Sequence, residues 1–134
     1  MVTCTEPVLS LCSGIGGLAL GYSAATGGRT VCYVEREAFS AATLVARMED
    51  KALEDAPIWD DIKTFNGKPW RGKVDTIIAG FPCQAVSIAG KRDGREDSRW
   101  LWDDVARVIR EVGPRKVFLE NVPGILSLGI GDVL

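Results

Sequence analysis

The sequence predicts an α/β domain in which helices cover both faces of a parallel β-sheet. Short apolar runs alternate with helical patterns along the 134-residue chain, an order typical of parallel sheets. The segment VDTIIAG at residues 74–80 contains a continuous apolar run, as expected for a strand that is buried on both faces. A glycine-rich segment follows the first apolar run, where such folds turn from strand to helix. The length fits one domain covering residues 1–134.

The first half of the chain predicts two strands and two helices. PVLSL at 7–11 predicts a buried strand, and residues 16–26 predict a helix that opens on glycines. RTVCYV at 29–34 is β-branched and aromatic, which favours a second strand. Residues 37–53 predict a long helix. We expect the apolar face of that helix to consist of Phe39, Ala42, Thr43, Ala46 and Leu53.

The second half continues the alternation. A short third strand is predicted around Ile58, and residues 74–80 form the fourth. Residues 99–111 predict a helix, and RKVFLENV at 115–122 predicts a fifth strand. Ligands of open parallel sheets bind at the carboxyl ends of the strands. The candidate functional residues are therefore those that directly follow each strand.

The composition limits the classes of function. The chain carries 16 basic and 18 acidic residues, so it lacks the overall basic charge of many nucleic-acid-binding domains, although local basic patches remain compatible. No apolar run is long enough for a membrane-spanning helix, and the N-terminal segment MVTCTEPVLS does not resemble a signal peptide. We expect a cytoplasmic protein with no membrane partner.

The cysteines and the missing histidines argue against a metal site. Cys4, Cys12, Cys32 and Cys83 form no CxxC pair, and the sequence has no histidine. We therefore predict no metal ligand. Acid–base chemistry must then depend on carboxylates, lysine, water or the substrate.

The segment CSGIGGLALG at 12–21 indicates a nucleoside site. Gly14, Gly16 and Gly17 permit a tight turn that aims the N-terminus of a helix at a ligand. Glu35, at the end of the second strand, is placed to accept hydrogen bonds from ribose hydroxyls. The alternative is a turn whose glycines only permit packing. Neither a phosphate-binding P-loop nor the GxGxxG spacing is present.

Two further strand ends carry candidate residues. Asp61 in IWDDIKTF could accept a hydrogen bond from an adenine amine, although a helix cap or a solvated loop acid is the more common role. Cys83 follows the fourth strand after one proline and could act as a nucleophile once ionised, although an inert buried cysteine is the alternative. Glu120 ends the fifth strand, where a carboxylate is costly to bury without a purpose.

Taken together, these segments resemble the N-terminal half of the cytosine-5 DNA methyltransferases. The resemblance is carried by SGIGGLALG, Glu35, DDI at 60–62, GFPCQAVSIAGKRDGREDSR and FLENVPGIL, which occur in this order. It implies a Rossmann-like methyltransferase domain, truncated after about the fifth strand. It also implies that S-adenosyl-L-methionine is the cofactor and that double-stranded DNA is the partner.

The resemblance also implies roles for single residues. Cys83 would attack C6 of a flipped-out cytosine, and Glu120 would hydrogen-bond the base. The residues implied to line the cofactor are Cys12, Gly14, Ile15, Gly17, Glu35, Arg36, Asp61, Ile62, Gly80, Pro82 and Leu101. The residues implied to contact DNA are Gln84, Ser87, Lys91, Arg92 and Asn121.

The sequence departs from the family pattern at several positions. Cys12 replaces a usual phenylalanine, Ser10 a usual acid, and Val86 a common phenylalanine. The later catalytic strand and the target-recognition region of the family are missing. We therefore expect the chain alone to be inactive and to need a complementary C-terminal half or a second chain.

Three other hypotheses remain open at this point. The chain could be a non-catalytic remnant or one half of a split enzyme. It could also be a nucleotide-dependent oxidoreductase, but that leaves PCQ and ENV unexplained. A thiol-redox role is weakened because Cys83 has no resolving cysteine nearby.

Overall fold

The computed structural model describes residues 4–81, 101–121 and 123. The strands are β1 (Pro7–Leu11), β2 (Arg29–Val34), β3 (Ile58–Trp59), β4 (Thr76–Ala79) and β5 (Lys116–Leu119). The helices are α1 (Gly17–Thr26), α2 (Ala38–Glu49), α3 (Trp102–Val112) and a short 3-10 helix (Lys68–Trp70). The strands form one sheet in the order β3-β2-β1-β4-β5, and every neighbouring pair is parallel. The predicted parallel α/β fold is confirmed.

Each face of the sheet has its own apolar core. Val8 and Tyr33 point to one face, where they pack with Ala19 of α1 and with Leu44 and Met48 of α2. The opposite face holds a second cluster. Its members from β1, β4 and α3 are Leu9, Leu11, Ile77, Ala79, Trp102, Val105, Val108 and Val112. Alternate residues of β1 serve opposite clusters because successive side chains of a strand point to opposite faces. The prediction of helices on both faces is confirmed.

The second helix differs from the prediction in its end and in its buried face. It ends at Glu49 rather than at residue 53, and Lys51 adopts a left-handed φ of 60° just beyond it. Its buried side chains are Leu44 and Met48, whereas the predicted face member Phe39 is 79% exposed. Two large side chains four residues apart define the buried stripe better than a row of alanines, which bury little area.

The structure also adjusts the other predicted boundaries. β4 and β5 are shorter than predicted, and α3 extends to Val112. The predicted start of that helix, residues 99–100, lies outside the described residues. A helix long and apolar enough to cross a membrane is not found in the described ranges.

Candidate functional site

The turn between β1 and α1 lies at the carboxyl edge of the sheet and depends on its glycines. Gly14 and Gly16 have φ values of 56° and 88°, a region that residues with a side chain rarely adopt. A Cβ on Gly16 would lie 2.5 Å from Cδ1 of Leu53, so the turn also packs tightly against the loop after α2. A Cβ on Gly14 or Gly17 would meet nothing within 4 Å, so the outer side of the turn is open to a ligand.

Cys12 begins this turn and is a neutral, partly buried side chain. It packs against the same apolar cluster as Leu101, the residue that precedes α3. Burial, together with the negative charges of Glu35 and Asp104, raises the pKa of the Cys12 thiol to about 12. At neutral pH the thiol is therefore protonated and presents an apolar surface beside the turn.

Glu35 connects the end of β2 to the glycine turn. Its Oε2 accepts a hydrogen bond from the backbone N–H of Gly14 at 2.5 Å, and its Oε1 accepts one from Glu37 at 2.8 Å. Its own N–H donates to the carbonyl of Trp59 at 2.9 Å, which ties it to β3. Because a carboxylate offers about four acceptor positions, both oxygens retain capacity for ligand hydroxyls. Glu35 therefore lies at the end of β2 as expected, and the hydrogen bond with Gly14, which the sequence did not predict, joins it to the glycine turn.

Asp61 opens a tight turn directly after β3. Its Oδ1 accepts a hydrogen bond from the N–H of Lys63 at 2.9 Å, and its carbonyl accepts one from the N–H of Phe65 at 3.1 Å. Ile62 is 4% exposed and belongs to the same apolar cluster that Cys12 and Leu101 contact. Asp61 therefore stabilises a turn, a local role close to the helix cap that the sequence left open, and the residue also lies at the expected strand end.

The ends of β4 and β5 lie side by side. The N–H of Glu120 donates to the carbonyl of Ala79 at 2.9 Å, and the amide of Asn121 donates from Nδ2 to the carbonyl of Phe81 at 3.2 Å. A Cβ on Gly80 would lie 3.2 Å from Oε2 of Glu120. The exposed carboxylate of Glu120 therefore lies against the backbone that leads towards residue 83.

The backbone at the end of β4 is held from two sides. Phe81 is 3% exposed, and its ring centroid lies 5.6 Å from that of Trp102 at the start of α3. The hydrogen bond from Asn121 fixes the carbonyl of the same residue. These two contacts therefore fix Phe81, the last described residue after β4, close to Glu120.

The remaining predicted site residues are either exposed to solvent or lie outside the residues that the structure describes. Ile15 and Arg36 are exposed, and no contact of the Arg36 side chain is found among the described residues. The predicted residues outside the described ranges are Pro82, Cys83, Gln84, Ser87, Lys91 and Arg92. Within those ranges, no cluster of three or more histidine, cysteine or carboxylate side chains could hold a metal ion.

A family model for C-5 cytosine-specific DNA methylases matches residues 7–133. The chain belongs to this family. The match covers the glycine turn, Glu35, Asp61 and both candidate catalytic positions.

Individual relatives agree with membership of the C-5 cytosine methylase family. Type II methyltransferase M.Eco47II of Escherichia coli is 36% identical over 132 residues, covering 95% of this chain and 30% of the relative. M.HpaII of Haemophilus parainfluenzae is 39% identical over 127 residues, covering 94% of this chain and 34% of the relative. The chain thus spans about a third of the length of these curated relatives.

A solved structure of a DNMT2 mutant from Spodoptera frugiperda resembles this chain with a TM-score of 0.68 and 21% identity. The resemblance covers 96% of this chain and 39% of that one. At this identity it supports the fold alone. The Rossmann-like methyltransferase fold expected of a C-5 cytosine methylase is confirmed.

Sequence reasoning missed two residues that shape this edge of the methylase domain. Arg107 and Glu111 project from α3 and bind the backbone of residues 62–67, the turn that Asp61 opens. Their spacing of four residues, acid after base, is a signal of neighbouring side chains on one helix face. That signal predicts the pair itself but not the distant backbone that it contacts.

Proposed function

We propose that this chain is the cofactor-binding half of a DNA (cytosine-5)-methyltransferase. The observation that carries the proposal is the contact between the ends of β4 and β5. The Asn121 side chain holds the carbonyl of Phe81, two residues before Cys83, beside the carboxylate of Glu120. A nucleophile and a carboxyl group that act on the same base need positions close together. The neighbouring ends of β4 and β5 favour such positions for Cys83 and Glu120.

The residues at this edge fit S-adenosyl-L-methionine. The open outer side of Gly14 and Gly17 suits a close approach to the backbone, and the uncapped N-terminus of α1 faces it. Glu35 has acceptor capacity for ribose hydroxyls. The free Oδ2 of Asp61 suits an adenine amine, since the described hydrogen bond uses only Oδ1.

The apolar side of the same site has a different character. Cys12 and Leu101 contact one cluster together with the buried Ile62, and they offer a surface for the flat face of a base. The neutral thiol of Cys12 is compatible with that role. When bound, the cofactor supplies an electrophilic methyl group on a sulfonium centre.

We propose that Cys83 and Glu120 perform the chemistry on cytosine. The thiolate of Cys83 forms a bond to C6, which makes C5 electron-rich enough to accept the methyl group. The carboxyl group of Glu120 donates a hydrogen bond to N3 and accepts one from the exocyclic amine, which stabilises the charge that develops on the ring. C5 would take the methyl group as the sulfonium leaves as the neutral thioether S-adenosylhomocysteine. Loss of the C5 proton to water and expulsion of the Cys83 thiolate would then restore the C5–C6 double bond.

Double-stranded DNA and a further polypeptide segment are the proposed partners. Lys91 and Arg92 follow Cys83 closely and supply basic charge for phosphates, and Gln84 and Ser87 supply polar contacts. The edge strand β5 exposes Val117 on one face and Phe118 on the other, at 42% and 51%. Together with the partial coverage of the relatives, these apolar side chains favour a complementary segment that covers β5.

The proposal is tested by covalent trapping on DNA that contains 5-fluorocytosine. Fluorine at C5 prevents loss of the proton, so the adduct with the nucleophile persists. We would fuse the chain to the C-terminal region of M.HpaII and expect a covalent DNA–protein band that requires S-adenosylmethionine. Cys83→Ser should abolish the band, whereas Cys4→Ser should retain it because Cys4 is an exposed cysteine before β1. An adduct that survives in Cys83→Ser would refute the assigned nucleophile.

A non-catalytic remnant or one half of a split enzyme is the second candidate. The near-neutral charge of the chain, with 16 basic and 18 acidic residues, favours it, because DNA binding usually depends on a basic surface. We expect the 134-residue chain alone to transfer no labelled methyl group to DNA. Transfer by the purified chain would contradict its dependence on a further segment.

A further inference from the structure

Arg107 of α3 holds the turn that follows Asp61. Its Nη2 donates a hydrogen bond to the carbonyl of Ile62 at 2.7 Å, and its Nη1 donates to the carbonyl of Phe65 at 2.9 Å. A planar guanidinium can bridge two carbonyls in one fixed geometry, which a lysine ammonium cannot reproduce. The side chain is 31% exposed, so these bonds form at a partly shielded position.

Two acids of the same helix keep the guanidinium in place. Oε2 of Glu111 lies 3.1 Å from Nη1 of Arg107 and also accepts the backbone N–H of Gly67 at 2.8 Å. That Gly67 bond and the Arg107 charge lower the pKa of Glu111, so it is ionised at neutral pH. Asp104 forms a longer ion pair at 3.7 Å. Side chains of α3 thus form hydrogen bonds with the backbone of residues 62, 65 and 67.

The peptide group between Ile62 and Lys63 links Arg107 to Asp61. Arg107 donates a hydrogen bond to the carbonyl of this peptide group. The N–H of the same peptide group, which belongs to Lys63, donates to Oδ1 of Asp61 at 2.9 Å. A peptide group is planar, so fixing its oxygen also fixes the direction of its N–H. One peptide group therefore connects the Asp61 carboxylate to a side chain 46 positions away, and no direct contact between the two side chains is found among the described residues.

We propose that Arg107 is a positioning residue that aims the Asp61 carboxylate at the amino group of an adenine. The inference rests on the proposed cofactor site and adds to it the residue that sets its selectivity for adenine. An Arg107 that only stabilised the fold would change the melting temperature without changing the preference between two bases.

The test compares two ligands that differ only along one edge of the base. S-adenosylhomocysteine carries an amino group at C6 beside an unprotonated N1, and S-inosylhomocysteine carries an oxygen at C6 beside an N1–H. We expect the 134-residue chain to bind the first about tenfold more tightly, the value of one charge-assisted hydrogen bond. In Arg107→Met the ratio of the two dissociation constants should fall towards one, and Arg107→Lys should restore it only in part.

Controls separate positioning from stability. Arg110→Met removes the same charge from an exposed site on the same helix and should keep the tenfold ratio. Glu111→Gln removes the charge but keeps an oxygen that can accept from Arg107, and Asp104 remains, so we expect a lower melting temperature with the preference retained. Circular dichroism reports the fold of each variant, and Arg107→Lys decides the question if Arg107→Met does not fold.

Failure of the cofactor site and failure of the positioning role give different binding results. A wild-type chain that binds neither ligand would overturn the proposed cofactor site and this inference with it. A wild-type chain that binds both ligands equally, or an Arg107→Lys variant that keeps the full tenfold ratio, would overturn the positioning role alone.

Discussion

Single glycines decide the shape of the turn that begins the candidate site. Gly16 combines a left-handed φ of 88° with a close approach to Leu53 and Leu44, so two separate constraints exclude a side chain there. Gly27, at the end of α1, has a similar φ of 74°, but a Cβ on it would meet nothing within 4 Å. A comparison of alanine variants at Gly16 and Gly27 therefore separates the cost of steric overlap from the cost of the left-handed backbone.

We predict that Gly16→Ala lowers the free energy of unfolding by about 2–5 kcal/mol, the sum of the costs of a left-handed residue and of an overpacked contact. Gly27→Ala should lower it by only about 1–2 kcal/mol, because it has the backbone term alone. Urea denaturation of both variants measures the difference. Equal losses would show that Leu53 and Leu44 move aside without cost.

The two candidate carboxylates of the cofactor site serve the fold and remain available to a ligand. Glu35 binds the N–H of Gly14, and Asp61 binds that of Lys63. For Asp61 the sequence left a helix cap, a solvated loop acid and a contact with an adenine amine open, and the observed turn is compatible with the ligand contact. A carboxylate that is already oriented by backbone donors loses little freedom when it binds a ligand.

At the scale of elements, the carboxylate of Glu6 links several helices and strands at the end of the sheet opposite the candidate site. Glu6, just before β1, accepts hydrogen bonds from Tyr22 of α1 and Thr76 of β4, and it pairs with Lys116 of β5 at 2.8 Å. These contacts join three elements that are distant in sequence. The Lys116 hydrogen bond, followed by that of Thr76, lowers the pKa of the Glu6 carboxyl below its ordinary 4.5.

We predict that Glu6→Gln lowers the free energy of unfolding by about 1 kcal/mol at pH 7. Because the folded-state pKa is lowered, the stabilisation by Glu6 is complete above the unfolded value of about 4.5 and is lost as pH falls through the folded pKa. The difference between wild type and variant should therefore vanish at low pH. Thermal melts at a series of pH values measure it, and a constant difference would contradict the role of the charge.

At the scale of the whole molecule, the order β3-β2-β1-β4-β5 brings the turn after β1, Glu35, Asp61 and Glu120 to one edge. In a parallel sheet all carboxyl ends lie on the same side, so residues far apart in sequence meet there. The membership of the C-5 cytosine methylase family accounts for the GFPCQ and ENV segments. An oxidoreductase function leaves those segments unexplained.

We predict that S-adenosylhomocysteine raises the melting temperature of the 134-residue chain, whereas NAD at the same concentration does not. A ligand present at 100 times its dissociation constant stabilises the native state by about 2.7 kcal/mol. Differential scanning fluorimetry with both ligands provides the measurement. A larger shift with NAD would overturn the cofactor assignment.

Much of the fold could be predicted from the sequence because its signals are local. Strands such as PVLSL and RTVCYV were predicted at their observed bounds, since β-branched and apolar runs favour extended backbone without help from distant residues. The end of α2 was not, because Lys51 leaves the helix in a left-handed conformation where Leu53 packs back on Gly16. That packing is a tertiary contact, and periodicity does not contain it.

Sequence patterns alone predicted the glycine turn, Glu35, Asp61 and Glu120 at strand ends, where the structure has them, and they also predicted Cys83, which lies outside the described residues. The order of the strands in the sheet and the contacts of long side chains decided which of these residues come close together. Only the tertiary structure brought Arg107 onto the carbonyls of Ile62 and Phe65 and Asn121 onto that of Phe81. The physical reason is that a backbone carbonyl has no sequence signature, so a side chain that binds one across the fold can be recognised only after the chain has folded.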